Sequence, residues 1–411
     1  MVIGGGAAGF FGAISAAENG VEEIVILEKG TEVLTKVRIS GGGRCNVTHG
    51  CFDPKELVHG YPRGERSLVG PFHRWQAAET VEWFEAHGVE LKTEADGRMF
   101  PVTDDSQTVI DCLTAAARDL GVTCRTRCGV TGLRMRSEGG FVVETTTGEE
   151  IEASSVLVAT GGIRSGDART PVEAVGHDME PPVPSLFTFK IDDARIRDLP
   201  GVSVPDATVR VGRREASGPL LVTHWGLSGP AVLKVSAWGA RELAEMDYVF
   251  ELRVNWTGVL RSDDLRGKFD EERRIHGIRK VVGRSLVEGV TRRLWQSLCA
   301  AAGIGDEQTW ARLTKDEARK LADELTEGRY AVSGKSLNKD EFVTCGGVRL
   351  KDVNLKTMES KLVPGVYFAG EVLDIDGVTG GFNFQAAWTT GRIAGASVAG
   401  ESEAGRVSRR G

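Results

Sequence analysis

The 411-residue chain has no apolar run near the roughly 20 residues a membrane-spanning helix requires, which excludes a helical membrane protein. Its first twenty residues lack the basic start and long apolar stretch of a secretory signal, so a cytoplasmic location is expected. The seven cysteines include no Cys-x-x-Cys and no framework spacing, leaving reduced, mostly buried thiols as the expectation. None of the seven histidines falls in a His-x-x-x-His or similar ligand spacing, so no metal site is expected. An excess of positive charge is missing too. The formal net charge is −7, which argues against a general grip on nucleic acid, and the basic stretch 273–284 (RRIHGIRKVVGR) reads as a solvated helix face. There is no internal repeat or low-complexity linker.

What is present is an ordinary globular composition, 41% hydrophobic and 27% charged, over a length that favours two or three subdomains. The chain opens MVIGGGAAGFFGAISAAENG, which reads as a stub of strand (Val2-Ile3), a tight turn and a small-residue helix over 10–19. A buried strand, IVILE, follows at 24–28, then a Gly- and Arg-containing loop at 38–50. Amphipathic helices are expected at 76–87 and 107–120, the second capped by Ser106. Residues 122–160 turn to β: VTCRTRC, VTGLRMRS, FVVETTT and IEASSVLVAT suggest an antiparallel meander feeding a last buried strand. Residues 185–256 read as all-β and 262–328 as helical, with Thr314 and Glu317 forming a capping box. A final helix is expected from about 383, and 401–411 should fray. The expected organisation is a discontinuous α/β domain (1–184 with 341–411), a β-rich insertion (185–256) and a helical subdomain with the return (257–340).

The spacing Gly4-x-Gly6-x-x-Gly9 lies between the strand stub and the helix. In a dinucleotide motif the first glycine permits the turn, the second lets backbone approach a pyrophosphate, and the third lets helix pack on strand. The amides at Ala7, Ala8 and Gly9 then face the anion, aided by the helix dipole. Glu28, nineteen residues after Gly9, is placed to accept hydrogen bonds from an adenosine ribose, with Lys29 beside it. Only three residues precede Gly4, fewer than such a strand usually has.

Further signals favour FAD over NAD. KVRISGGGRCN (36–46) offers flexible backbone at Ser40, Gly41 and Gly42, an anion-binding Arg44, and Asn46 for ring or ribityl edges. VLVATGG (156–162) ends a buried strand in Ala159, Thr160 and Gly161. GVYFAGEVLD (365–374) sets Gly370 and Glu371 after another strand, where the carboxylate would meet a ribityl chain. GGFNFQAAW (380–388) opens a helix at Gly381, Phe382, Asn383 and Phe384, whose N-terminus would stabilise negative charge on a reduced flavin. No second complete Gly-x-Gly-x-x-Gly occurs.

GGGAAG, SGGGRCN, THWGLSGP (223–230), TMESKLVPGVYFAGEVLD (357–374) and TGGFNFQAAWTTG (379–391) together resemble the bacterial NAD(P)/FAD-dependent oxidoreductase flavoproteins, a group that includes aminoacetone oxidases and dehydro-bile-acid reductases. The resemblance covers nearly the whole chain. It implies a Rossmann-like FAD-binding domain of glutathione-reductase type, an inserted β-barrel-like domain and a small helical domain. It also implies non-covalent FAD at the glycines above, Glu28, the 40–46 loop including Cys45, Ala159–Gly161, Glu371 and 381–384, with backbone of Val130 near the adenine. The Arg- and Trp-enriched insertion is where members would differ in substrate.

The expected activity is hydride transfer through FAD to or from a small organic substrate, with NADH or NADPH as transient donor. His224, in LLVTHWGLSGP, is the candidate acid or base, against a plainer reading as a histidine packed at a strand corner near Trp225 and Pro230. Cys45 has no partner thiol and reads as a close-packed small residue; Asp374 and Asp376 read as loop caps. A small-molecule partner is expected; nucleic acid and membrane are not. The alternatives are a flavin-dependent RNA-modifying enzyme, which should show a basic face, an oxygen-using amine oxidase, and a non-catalytic FAD scaffold.

Overall fold

The computed structural model describes residues 1–162, 170–336 and 343–408. It divides into two compact units, Met1–Pro184 with Lys339–Gly411, and Ser185–Asn338.

The first unit is built on five parallel strands in the spatial order Val366–Phe368, Val156–Val158, Val2–Ile3, Val25–Leu27, Thr123–Arg125, extended antiparallel by Glu359–Ser360 and Val353–Asn354. Val2–Ile3 is only two residues long, yet it is central. Val2 pairs with Leu157 on one side and Ile26 on the other, and both of its residues are buried. Continuous apolar runs (VIL, VLV, VYF) suit strands covered on both faces. The helix Ala7–Glu18 follows the first strand and packs on the closing helix Phe382–Ser408 at glycine contacts. A Cβ at Gly391 would lie 2.6 Å from the Ala8 carbonyl, and one at Gly395 2.2 Å from the Gly12 carbonyl. The closing helix runs to Ser408 through residues expected to fray, and 409–411 lie outside the described residues.

Three expectations are corrected in this unit. Only Val130–Met135, Phe141–Thr145 and Glu150–Ala153 form the antiparallel meander, while VTCRTRC supplies Thr123–Arg125 to the parallel sheet. The preceding helix Ser106–Asp119 makes it the end of a strand-helix-strand crossover, a connection that favours parallel pairing. That helix is capped by Asp105, whose carboxylate accepts from Gln107 N at 2.8 Å, because the Ser106 hydroxyl already donates to the Arg38 carbonyl. The 38–50 loop is partly regular. A helix spans Thr35–Gly43, broken where Ser40 turns extended and Gly41 and Gly42 left-handed, and Thr48–His49 pairs with Arg98–Pro101.

The second unit holds a seven-stranded antiparallel sheet ordered Gly328–Val332, Phe250–Asn255, Ser203–Val211, Arg214–Thr223, Gly226–Ser228, Thr188–Lys190, Gly334–Ser336. The two outer strands are separated in sequence by Ser333 alone, so one bent segment supplies both edges and the sheet is barrel-like. Residues 185–256 are not all-β: helices Pro230–Trp238 and Ala240–Glu245 interrupt them. Gly229, at φ +93°, makes the turn and Pro230 begins the helix where its missing N–H costs nothing. Helices Ser262–His276, Arg292–Ala301 and Lys315–Glu327 share one buried core with the sheet, around Trp256, Trp295 and Trp310. The capping box forms as expected, with Glu317 N donating to Thr314 Oγ1 (3.2 Å) and Thr314 N to Glu317 Oε2 (2.8 Å).

Candidate functional site

The first unit gathers most of the sequence-selected residues around the head of the Ala7–Glu18 helix. Gly4 sits at φ +110°, and a Cβ there would lie 2.3 Å from the Ala159 carbonyl. One at Gly9 would lie 2.0 Å from the Gly4 carbonyl. Both glycines are therefore required by close approach. Gly6 is different: among the described residues a Cβ there would meet nothing within 4 Å, and Gly6 is the N-cap of a helix with no side-chain cap. The first-turn amides of Ala7, Ala8 and Gly9 head a helix whose positive end faces open space, the condition for holding a diphosphate.

Around this opening the carboxylate of Glu28 is fixed by two amides, accepting from Gly5 N (2.8 Å) and Gly30 N (2.6 Å). The Glu28 carbonyl accepts from Cys128 N, and the Glu28 amide donates to the Arg125 carbonyl, which brings the start of Val130–Met135 alongside. Lys29 is exposed beside it. On the neighbouring strand, Ala159 donates to the Ile3 carbonyl, Gly161 turns left-handed, and among the described residues Thr160 Oγ1 is buried without a partner. Gly370 abuts the same helix: a Cβ there would lie 2.8 Å from Ala8 Cβ.

Glu371 is not left open for a ribityl chain. It accepts from Thr344 N (2.8 Å) and from Lys36 Nζ (2.6 Å), an ion pair across the cleft between residues far apart in sequence. Sequence reasoning missed Lys36 and Thr344; Lys36 opens the KVRISGGGRCN segment, but nothing local announces its partner. Arg44 is likewise engaged. Its Nη1 lies 2.7 Å from Glu94 Oε1 and 3.5 Å from Asp104 Oδ1, and its guanidinium stacks over Phe100. The group offered to phosphate is already held by two carboxylates, which keep its pKa raised. Asn46 accepts from Met99 N (3.3 Å), and Ser40 donates to the Val37 carbonyl while accepting from Cys45 N at its own. Gly41 and Gly42 take up the left-handed turn. Cys45 is fully buried, and burial pushes its thiol up to about 12, consistent with a packing role.

At the head of the closing helix, Gly381 is left-handed and a Cβ would strike the Thr48 carbonyl at 2.3 Å. Asn383 clamps the Gly377 peptide through both amide atoms (2.8 and 2.9 Å). Phe382 stacks on His49 with centroids 4.7 Å apart, and Phe384 stacks on Trp388. Burial lowers the pKa of His49, opposed by Asp96. Asp376 is not a loop cap: it is fully buried and forms a two-pronged ion pair with Arg63.

His224 belongs to the second unit. It sits with Trp225 at the two-residue tip between Arg214–Thr223 and Gly226–Ser228, exposed and with no hydrogen bond to its ring among the described residues. The reading of a packed corner does not hold, because so short a loop turns both side chains outward; Trp225 is 62% exposed.

The residues present fit a dinucleotide: bare backbone at Gly6, an uncapped helix head, and an orphaned Thr160 hydroxyl. Residues 1–397 match the family described as HI0933-like protein Rossmann domain. A ribosomal RNA dihydrouridine synthase of Escherichia coli (strain K12) is 29% identical over 400 residues, covering 95% of this chain and 95% of that protein. A 3-dehydro-bile acid delta(4,6)-reductase of Clostridium scindens is 28% identical over 412 residues, covering 97% and 98% respectively. Among solved structures, a 3-ketosteroid delta1-dehydrogenase from Sterolibacterium denitrificans, in complex with 1,4-androstadiene-3,17-dione, shares the fold at TM-score 0.50 and 14% identity, covering 97% of this chain and 99% of that one. No described helix is long and apolar enough to cross a membrane.

Proposed function

Because the chain belongs to the HI0933-like family of Rossmann-type FAD-binding oxidoreductases, we propose that it saturates a carbon–carbon double bond conjugated to a carbonyl in a small organic substrate, with NADH or NADPH as electron donor. The names of two relatives support the reaction class, since a dihydrouridine synthase and a delta(4,6)-reductase both add hydrogen across such a bond. The observation that carries the reading is the open backbone at Gly6, at an uncapped helix head beside Glu28.

FAD, when bound, would supply the two-electron chemistry that links a nicotinamide donor to reduction of the substrate at the carbon β to the carbonyl. The chain's part is to hold and exclude. Amides of Ala7–Gly9 hold the diphosphate; Glu28 and the backbone at Val130 hold the adenosine end. Ser40–Asn46, Ala159–Gly161 and the Lys36–Glu371 pair frame the middle. The Gly381–Phe384 helix head favours negative charge at the ring. His224, exposed at its hairpin tip in the second unit, is the proposed acid of the reaction.

The test is anaerobic. The reconstituted yellow protein should bleach on adding NADH or NADPH, and the band should return on adding a steroid enone, with product heavier by two hydrogens. His224→Gln should leave bleaching intact and slow the return step by roughly 10²-fold or more. Protein that takes up no FAD, or whose reduced form answers only to oxygen, would sink the proposal. A second reading, a uracil ring in ribosomal RNA as substrate, is supported by the E. coli relative and by residues 185–338, whose formal charge is on the basic side while the whole chain is at −7. RNA carrying dihydrouridine after incubation, with binding that weakens steeply with salt, would select it.

A further inference from the structure

We infer that the second unit carries a separate binding groove for a small anionic amphiphile, an apolar body with a single carboxylate head. The groove measures about 1060 Å³, at the upper end of the range for small-molecule sites, and its lining comes entirely from residues 210–253. It lies at the tip of the hairpin formed by Ser203–Val211 and Arg214–Thr223, against Ala240–Glu245 and Phe250–Asn255.

Its floor is apolar, made by Val235, Leu243 and Phe250 with two large side chains that water should disfavour: Met246 is 42% exposed and Val249 61%. The turn that presents them is unusual. Asp247 and Tyr248 both adopt left-handed φ (50° and 59°), a conformation non-glycine residues seldom take and seldom in succession. The surroundings hold it there. Tyr248 N donates to the Leu243 carbonyl, its ring meets Phe187 edge-on at 5.4 Å, and Lys335 Nζ sits 3.2 Å from the ring centroid.

Charge fixes the head group. Three arginines at the rim are already paired: Arg214 with Glu242 (2.6 Å), Arg210 with Glu327 (3.0 Å), and Arg253 with Glu251 (3.1 Å). The Arg213 guanidinium, exposed at the hairpin tip, has no ion pair or hydrogen bond among the described residues. One unpaired guanidinium above an apolar floor suits one carboxylate, which arginine grips with two parallel hydrogen bonds. A nucleic-acid strand suits it less: the other lining cations are neutralised, and the one lining aromatic, Phe250, is part-buried and offers no stacking platform.

This inference does not rest on the proposed reaction. The experiment is calorimetric titration of the FAD-loaded full chain with octanoate, decanoate and dodecanoate below micellar concentration, and with the alcohols of equal length. Affinity should rise about fourfold per added methylene. Arg213→Ala should weaken the acids by about tenfold, as for loss of a charged hydrogen bond, and leave the alcohols unchanged. Val249→Asp should abolish the chain-length dependence. Absence of binding, equal binding to all three proteins, or an oligouridylate that displaces dodecanoate in a salt-dependent way would each overturn the inference. The flavin band and its bleaching by dithionite should be the same in both variants, so a failure here is separable from a failure at the cofactor cleft.

Discussion

Glycines that share one motif answer to different masters. Gly9→Ala forces a Cβ to within 2.0 Å of the Gly4 carbonyl, so it should cost about 1–3 kcal/mol of stability, as core overpacking does, read as a lower melting temperature with or without FAD. Gly6→Ala meets nothing within 4 Å and the backbone there is extended, so flavin-free protein should melt as before. Its FAD affinity should nevertheless fall by about tenfold or more, roughly 1.4 kcal/mol. If Gly6→Ala binds FAD as tightly as the parent, the diphosphate does not lie there. Cys45, whose thiol burial raises to about 12, should resist alkylation at pH 8 in the folded protein while exposed Cys124 reacts; fast labelling of Cys45 would contradict the packing. At this scale Gly4 and Gly9 were legible in the sequence, because the close approaches that require them follow from local backbone geometry. Arg44, Asn383 and Asp376 were not. The partners of Arg44 and Asp376 (Glu94 and Arg63) are set by tertiary placement, Arg63 lying more than three hundred residues from Asp376, while Asn383 clamps Gly377 only six residues before it, across a turn that no local pattern announces.

Among elements, short buried strands and long amphipathic helices could be read from periodicity, and so could the Thr314–Glu317 box, a signal contained within four residues. Thr314→Ala should cost about 1 kcal/mol, measured by denaturant unfolding. The assignment of Thr123–Arg125 to a meander failed because partner choice between equally apolar strands depends on what precedes them, here the helix Ser106–Asp119. Asp105 rather than Ser106 caps that helix because a distant carbonyl, Arg38, claims the serine hydroxyl. The Arg63–Asp376 pair links the segment before Glu65–Phe72 to the approach of the closing helix, with Asp376 wholly buried. Asp376→Ala should lose about 3–5 kcal/mol, since it breaks a buried ion pair whose guanidinium is itself only 11% exposed. A loss under 1 kcal/mol would show the pair to be solvated.

For the molecule as a whole, acid sensitivity should precede the titration of carboxylates. His49 and His177 both have pKa values lowered below the ordinary 6.5, burial being the main cause, with Asp96 and Asp352 opposing it respectively. Above pH 6.5 both folded and unfolded chains carry neutral rings and neither histidine affects stability. As pH falls below 6.5 the unfolded chain takes up protons the folded one refuses, so stability declines, at most about 1.4 kcal/mol per pH unit for each histidine. The melting temperature should therefore drop between pH 7 and 5.5, and His177→Asn should flatten part of that slope; an unchanged slope would exclude His177. The change in texture along the chain suggested three parts, whereas the second unit joins its sheet and helices in one core that could not be read, because a shared core leaves no period in the sequence. The glycine-to-backbone contact between Ala7–Glu18 and Phe382–Ser408 carries one more implication. On the ribosome, the Gly4–Gly9 turn emerges well before its supporting partner, which is translated hundreds of codons later. The nascent amino-terminal segment must wait, unassembled, for the distal helix, so yellow holoprotein should appear only on chains released after that helix has cleared the exit tunnel.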